Sequence, residues 1–355
     1  MGSLKMATTR YDSEDAAVDS LYADAAESDV QPLWEMKGIL TPQPIAKAIP
    51  FRWRLADLMD LGHRAQDLIA IDRGGDRRVL AFANPGLKGA PYVSNTLWAA
   101  AQFLGPGELA PAHRHSPAAL RFVLEGEGVW TLVNGDPIHM SRGDVILTPS
   151  WNFHEHHNPG DKSMVWLDVL DLPVVEFLEA IFFEEGPSEL VDRKTDPRSV
   201  SERQFGQGAG IVPSGPKGPV TTGRHSPLLV FRWADADSAL DALLELESGG
   251  DAQIRYQDPV SGNDVMPTLR CEMRRVIQGT TTGTDRQTGS RVCAVLGGTG
   301  HVQVGDEVFD LQPGDVFVVP SWNTQQITSE TTLDIFTTSD APVLEALKIY
   351  REEKN

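Results

Sequence analysis

The sequence predicts an all-β-dominated fold, two β-barrel modules of one design with a few flanking helices. Three observations carry this. From Val93 onward, short apolar runs alternate with Gly, Pro, Asn and Asp turns, the rhythm of many short strands in a barrel or sandwich. Within "GVWTLVNGDPI" (Gly128–Ile138), Asn134-Gly135 separates two such runs, a two-residue hairpin turn. The pattern then recurs: "GDVILTPSWNFH" (Gly143–His154) and "GDVFVVPSWNTQ" (Gly314–Gln325) stand 171 residues apart, with nine of twelve positions identical or similar. Upstream, "EGEGVWTLVNGD" (Glu125–Asp136) is echoed by "GGTGHVQVGDE" (Gly297–Glu307). This is an internal duplication.

The elements follow in order. Residues 1–20 are polar and acidic, without an apolar signal core, and Met6 stands where a myristoylation signal favours Ser or Thr. "DSLYADAAESDVQ" (Asp19–Gln31) reads as a helix ending before Pro32, and Pro42, Pro44 and Pro50 keep the next stretch extended. We therefore expect an N-terminal arm over 1–45 and a first barrel over 46–185, closed by a helix in "VVEFLEAIFFEE" (Val174–Glu185). A linker spans 186–228, where Ser201–Pro227 is rich in Gly, Pro and Ser. A helix in "DADSALDALLELE" (Asp235–Glu247) precedes the repeat of the pattern in a second barrel over 229–340, and 341–355 forms a C-terminal helix.

Composition narrows the function. A hydrophobic fraction of 41% is enough for a packed core, and the net charge of −19 repels nucleic acid and anionic membranes, excluding both as partners. An anionic substrate would need a local arginine cluster. Cys271 and Cys293, the two cysteines, fit neither a disulfide framework nor a zinc ribbon and read as buried free thiols. No apolar run is long enough to span a membrane. A soluble, cytoplasmic protein is expected.

Five of the nine histidines lie between residues 113 and 157. Positions i and i+2 of a strand face one side, so His113 and His115 can aim at one point in a barrel, joined by His154 from another strand. Three imidazoles make a neutral metal cap with positions left open for other ligands. Glycines and prolines frame them: Gly107, five residues, His113-x-His115, then Gly126; and Gly143, five residues, Pro149, then His154 and Asn158.

These two runs resemble the two cupin motifs, G-x5-H-x-H-x3-E-x6-G and G-x5-P-x-G-x2-H-x3-N. Ala119 replaces the usual glutamate ligand, and Trp151 replaces a glycine. The missing glutamate, together with "HRHS", "ALRF", "EGEGVW", "PSW" and "GNDVMPTLRCE" (Gly262–Glu272), resembles the bicupin ring-cleaving dioxygenases acting on gentisate, salicylate and 1-hydroxy-2-naphthoate. The resemblance covers roughly residues 20–350 and implies two jelly-roll domains and Fe(II) on His113, His115 and His154. It implies a small aromatic carboxylate and O2 as substrates, the carboxylate and ortho-hydroxyl chelating the iron, and opening of the bond between ring carbons 1 and 2.

It also implies that Arg73, Arg77, Arg121, Trp98 and Gln102 line the substrate pocket, with His156 and Asp168 beside them. His156, two residues from His154, could exchange a proton with the substrate hydroxyl; Asp168 could orient a histidine or bind the distal hydroxyl. His157 points to the opposite face. Ala100, between Trp98 and Gln102, borders the ring, and its methyl narrows the pocket relative to glycine, favouring gentisate over salicylate or naphthoate. Asp285, Gln287, Arg291 and Gln325 occupy the ligand positions of the second copy, so the second barrel is expected to hold no metal. Cupins of this size associate as homo-oligomers, here a dimer or tetramer. A salicylate or naphthoate dioxygenase and a non-enzymatic storage bicupin are the alternative readings.

Overall fold

The computed structural model describes residues 16–69, 78–186, 198–208, 210–214, 225–246 and 249–354. It forms two compact units, Met1–Ile45 and Ala46–Asn355. In the first, a helix over Ala16–Glu27 stops short of the expected Gln31. Asp29 turns left-handed at φ 53°, and the Val30 N–H reaches back to the Ala25 carbonyl, a helix-stop geometry that Asp tolerates. Tyr22 Oη donates to Glu35 Oε1 at 3.0 Å and accepts from Trp34 Nε1 at 3.2 Å.

The second unit holds two barrels, each a six-stranded sheet facing a five-stranded one, with antiparallel pairing throughout. In the first barrel the six strands run Val230–Phe231, Val145–Thr148, Ala119–Glu125, Met164–Leu170, Trp98–Leu104, Val79–Ala81; the five run Phe183–Glu185, Leu109–His115, His154–His157, Glu127–Val133, Asp136–Ser141. The predicted Asn134-Gly135 turn lies between the last two of these, both residues at positive φ. The second barrel repeats the plan.

Strand alternation divides the six-stranded sheet. Leu120, Phe122, Leu167, Val169 and Ala99 form one face and join the corresponding face of the second barrel in a single core. There Phe122 stacks on Phe336 with ring centroids 4.2 Å apart and planes at 8°. Residues of opposite parity point into the first barrel, where Val123, Ile146, Met164 and Trp166 build its floor.

Chain order and sheet order differ at the barrel boundaries. Phe51–Trp53, at the start of the expected first barrel, pairs with Val316–Val319 of the second. Val230–Phe231, from the expected second, pairs with Val145–Thr148 of the first. Each barrel thus caps an edge of the other's sheet, covering backbone groups an edge would leave unpaired. The expected helix over Val174–Glu185 is shorter: it spans Leu172–Phe177, Glu179 turns left-handed at φ 54°, and Phe183–Glu185 becomes an edge strand. The expected helix over 341–355 behaves alike, with a helix over Ala341–Ala346, Lys348 at φ 60°, and a strand over Glu352–Lys354. In both repeats the open edge of the five-stranded sheet captures the chain. Within the expected linker 186–228, Val200–Phe205 is helical, closed by a capping box of Ser199 and Glu202. A helix over Leu55–Leu68 was not expected; Leu55 and Leu58 on one side of it join the shared core. Both cysteines are free and buried. Among the described residues no helix is long and apolar enough to cross a membrane.

Candidate metal centre

His113 and His154 are register partners on adjacent strands, and His115 follows two residues on. One ring nitrogen from each lies within 4.8 Å of the others. The ring centroids stand 4.2 Å (His113–His154), 5.0 Å (His115–His154) and 5.6 Å (His113–His115) apart. Each Nδ1 sits on a backbone carbonyl two residues away: Pro111 at 2.9 Å, Pro117 at 2.7 Å and Asn152 at 3.0 Å. A carbonyl only accepts, so each Nδ1 carries the proton and Nε2 is the basic nitrogen. His154 Nε2 is buried without a hydrogen-bond partner, a state that costs free energy unless a ligand satisfies it. Burial first, then Arg121 and the neighbouring histidines, hold the His154 pKa well below the ordinary value. Three neutral nitrogens with fixed tautomers fit a transition metal.

The turn before His154 shows how the chain sets this geometry. Trp151 occupies the motif's glycine position and keeps the glycine's left-handed conformation, φ 64°. That costs a bulky residue about 1–2 kcal/mol. In return, its N–H donates to the His115 carbonyl at 2.9 Å, tying the turn to the strand that carries His113 and His115. The Arg114 guanidinium lies 4.4 Å from both the Trp151 and Phe153 rings and pairs with Glu184 on the edge strand at 2.6 Å. The second repeat does the same with Trp322, at φ 65° and bonded to the Gln287 carbonyl at 2.7 Å.

The wall contributed by the six-stranded sheet brings the other expected residues together. Asp168 is the register partner of Ala100 on one side and Arg121 on the other, and Gln102 pairs with Trp166. Trp98, Ala100, Gln102, Arg121 and Asp168 therefore share one face, interior to the barrel. Arg121 and Asp168 are buried, with Nε 3.2 Å from Oδ1. Arg121 Nη1 also donates to Thr148 Oγ1, and Trp166 Nε1 donates to Asp168 Oδ1 at 3.2 Å. Burial pushes the Asp168 carboxyl up to about 6, against the opposing pull of Arg121 and Trp166. Asp168 thus holds Arg121 and contacts no histidine through a hydrogen bond.

His156 lies on the same strand face as His154, ring centroids 5.9 Å apart. Burial, then Arg121 and His113, hold its pKa well below the ordinary range, so the ring is neutral. Its Nδ1 is 2.8 Å from Thr131 Oγ1, and the ring packs 5.3 Å from Trp166. His157 has the opposite parity and pairs with Leu109 and Trp130.

Arg73 and Arg77 lie outside the described residues. Arg78, next to them, is paired with Glu108. Sequence reasoning missed Thr131, Thr148 and Trp166. The available clue for Thr131 was a lone hydroxyl inside the apolar run "VWTLV"; for Trp166, its i−2 spacing from Asp168. Among the described residues, no second group of metal-binding side chains clusters as the three histidines do. In the second barrel Asp285 is ion-paired with Arg291 and lies 3.8 Å from Arg274.

Two duplicated barrels, one carrying a three-histidine centre, define a bicupin, and the cupin-domain pattern matches residues 102–170 and 273–336. The chain is 46% identical to a gentisate 1,2-dioxygenase of Streptomyces sp over 98% of both chains. It is 34% identical to a 5-aminosalicylate 1,2-dioxygenase of Comamonas sp, over 96% of this chain and 91% of that one. The crystal structure of salicylate 1,2-dioxygenase from Pseudoaminobacter salicylatoxidans with gentisate adducts matches with a TM-score of 0.90 at 42% identity, over 99% and 97% of the two chains. The chain belongs to the gentisate 1,2-dioxygenase family of ring-cleaving dioxygenases, and it is an enzyme.

Proposed function

We propose that this enzyme uses Fe(II) to open gentisate (2,5-dihydroxybenzoate) with O2 between ring carbons 1 and 2, giving maleylpyruvate. One observation carries the reading: a neutral three-histidine centre faces a buried arginine inside one barrel. Ferrous iron on the three imidazoles would chelate the substrate and activate dioxygen, chemistry that redox-inert zinc does not supply. Three neutral ligands leave the metal charge uncompensated, so an anionic chelate is favoured there. Arg121, held by Asp168 and Thr148, adds the cation that an aromatic carboxylate seeks in a low-dielectric cavity. His156, oriented through Nδ1 by Thr131, presents Nε2 for proton exchange with the substrate hydroxyl. Trp98, Gln102 and Ala100 form the wall against the ring, and Arg73 and Arg77 complete the substrate cations on this reading.

A second substrate reading, salicylate or 1-hydroxy-2-naphthoate, rests on the names of relatives, which include a 1-hydroxy-2-naphthoate dioxygenase of Nocardioides 30% identical to this chain. An oxygen-electrode panel over the three acids with iron-loaded protein tests the choice. Fastest uptake with gentisate and a ring-fission absorbance supports the reading; no uptake with gentisate refutes it. The storage-protein alternative is set aside by the family. We also propose a homo-oligomer, dimer or tetramer: Phe177, Leu178 and Phe182 are exposed large apolar side chains within one short stretch. Sedimentation of a monomer would refute that.

A further inference from the structure

The second barrel has lost the histidines and kept a cavity. Asp285, Gln287 and Gln325 stand where His113, His115 and His154 stand in the first, and Arg291 mirrors Ala119. All four line a cavity of about 70 Å³, room for a handful of waters or a small anion. Six of its lining side chains are Arg or Lys and three are Asp or Glu, so the wall disfavours a cation.

Two of the cavity's other arginines, the buried Arg270 and the half-buried Arg274, are committed. Arg270 sets its Nε and Nη2 on Asp264 at 2.8 and 2.9 Å. Arg274 sets the same edge on Asp251. This Nε/Nη2 edge is the fork that grips a carboxylate with two parallel hydrogen bonds. Arg291 differs. Its Nη1 engages Asp285, but its Nε and Nη2 are buried with no hydrogen-bond partner. The residue is 8% exposed, so bulk water does not compensate the missing bonds. Charged donors left unpaired in a protein wall are rare and costly. In the first barrel buried polar atoms without a hydrogen-bond partner include His154 Nε2 and Arg121 Nε, both beside the candidate metal centre.

We propose that the second barrel binds a compact oxyanion, a small carboxylate or inorganic phosphate, on the Nε/Nη2 edge of Arg291. Gln325, buried and lining the same cavity, supplies a neutral amide donor from the position of the lost third histidine. The duplicated scaffold thus keeps a ligand site in both copies, with a guanidinium replacing the metal as the cationic group that receives the ligand. The site does not depend on which aromatic acid the first barrel cleaves.

Isothermal titration of the iron-loaded full chain tests this, with sodium acetate and sodium phosphate as separate probes at constant ionic strength. Saturable binding of one of them is expected, and which one binds distinguishes the carboxylate from the phosphate source. Arg291→Lys keeps the charge and loses the fork, and is expected to weaken binding by about tenfold or more. Gln325→Ala, which leaves the buried charge pair in place, is expected to weaken it less and decides the matter where the lysine variant does not fold. His154→Ala removes a metal ligand and is expected to leave anion binding unchanged, separating this site from anions bound in the first barrel. No saturable binding of either probe overturns the proposal. So does binding that survives both second-barrel variants, or binding lost in His154→Ala.

Discussion

Replacing Thr131 with valine removes one hydroxyl from the interior of the first barrel and leaves the side-chain shape almost unchanged. Thr131 is fully buried, and its Oγ1 lies 2.8 Å from His156 Nδ1 and 2.8 Å from Met140 Sδ. The hydroxyl has one proton. If it goes to the sulfur, the oxygen accepts from Nδ1–H and His156 Nε2 is a base; if it goes to Nδ1, Nε2 carries the proton. Either arrangement selects a single tautomer and a single ring orientation. Valine leaves Nδ1 unpaired in a dry wall, at a cost of about 1–3 kcal/mol. Urea unfolding should register a loss in that range. If His156 exchanges a proton with substrate, the same energy reappears in the chemical step as a fall in kcat of roughly 5- to 150-fold. KM and iron content should stay near the wild-type values, because the three clustered histidines take their own orientation from the carbonyls of Pro111, Pro117 and Asn152. Thr131→Ser, which keeps the hydroxyl, should recover most of the activity. Steady-state oxygen uptake and metal analysis on the three proteins check this. A valine variant that loses stability yet turns over at the wild-type rate would refute the role given to His156, and one that loses iron would place Thr131 in the metal's support instead.

The remaining predictions are shorter. His154→Ala should abolish stoichiometric iron binding and activity together while leaving the circular dichroism of the β fold intact; retained iron refutes the ligand assignment. Ala100→Gly should shift kcat/KM toward 1-hydroxy-2-naphthoate relative to gentisate by about 10- to 200-fold, the worth of a methyl-sized change in an apolar pocket; an unchanged ratio would remove Ala100 from the ring wall. Burial raises Asp340 to about 6 against hydrogen bonds that include the Ser290 N–H at 2.8 Å. Its folded-state pKa exceeds the unfolded one, so the stability contributed by the protonated form is full below about 4 and lost as pH rises through about 6. Asp340→Asn cannot lose that proton, and should gain on wild type by up to about 3 kcal/mol between pH 4 and 8 in urea titrations; parallel pH profiles would refute this. Phe336→Ala should cost about 3–5 kcal/mol in one unfolding transition that reports both barrels, because its ring stacks on Phe122 across the shared core; two separated transitions in the wild-type protein would contradict a single core.

Much of the site was legible because it rests on strand parity and on repetition. His113 and His115 share a face by their i, i+2 spacing, and the same parity joins His154 to His156 and excludes His157. The 171-residue echo of Gly143–His154 in Gly314–Gln325 announced a second barrel, and Ala119 in the place of a glutamate marked the ring-cleaving branch of the cupins. These are local facts, carried by a few neighbouring residues and by the two-residue period of a strand. The family resemblance then placed Arg121 and Asp168 in one pocket.

Tertiary structure decided which groups meet across the barrel. Nothing near Asp168 in sequence states that it pairs with Arg121, since the register of strands 40 or more residues apart is settled by global packing. Thr131 acquires its role only because its strand lies beside His156 in that register. The strand exchange at Phe51–Trp53 and Val230–Phe231 has the same origin, as do the edge strands Phe183–Glu185 and Glu352–Lys354. Backbone edges left open by one part of the chain are filled by whatever segment the fold brings past. Trp151 is the sharpest case. By itself tryptophan argues against a left-handed turn, yet the bond to the His115 carbonyl and the stacked Arg114 hold it there. Composition and spacing therefore determined the chemistry available to this protein, and long-range register determined which of those groups face one another.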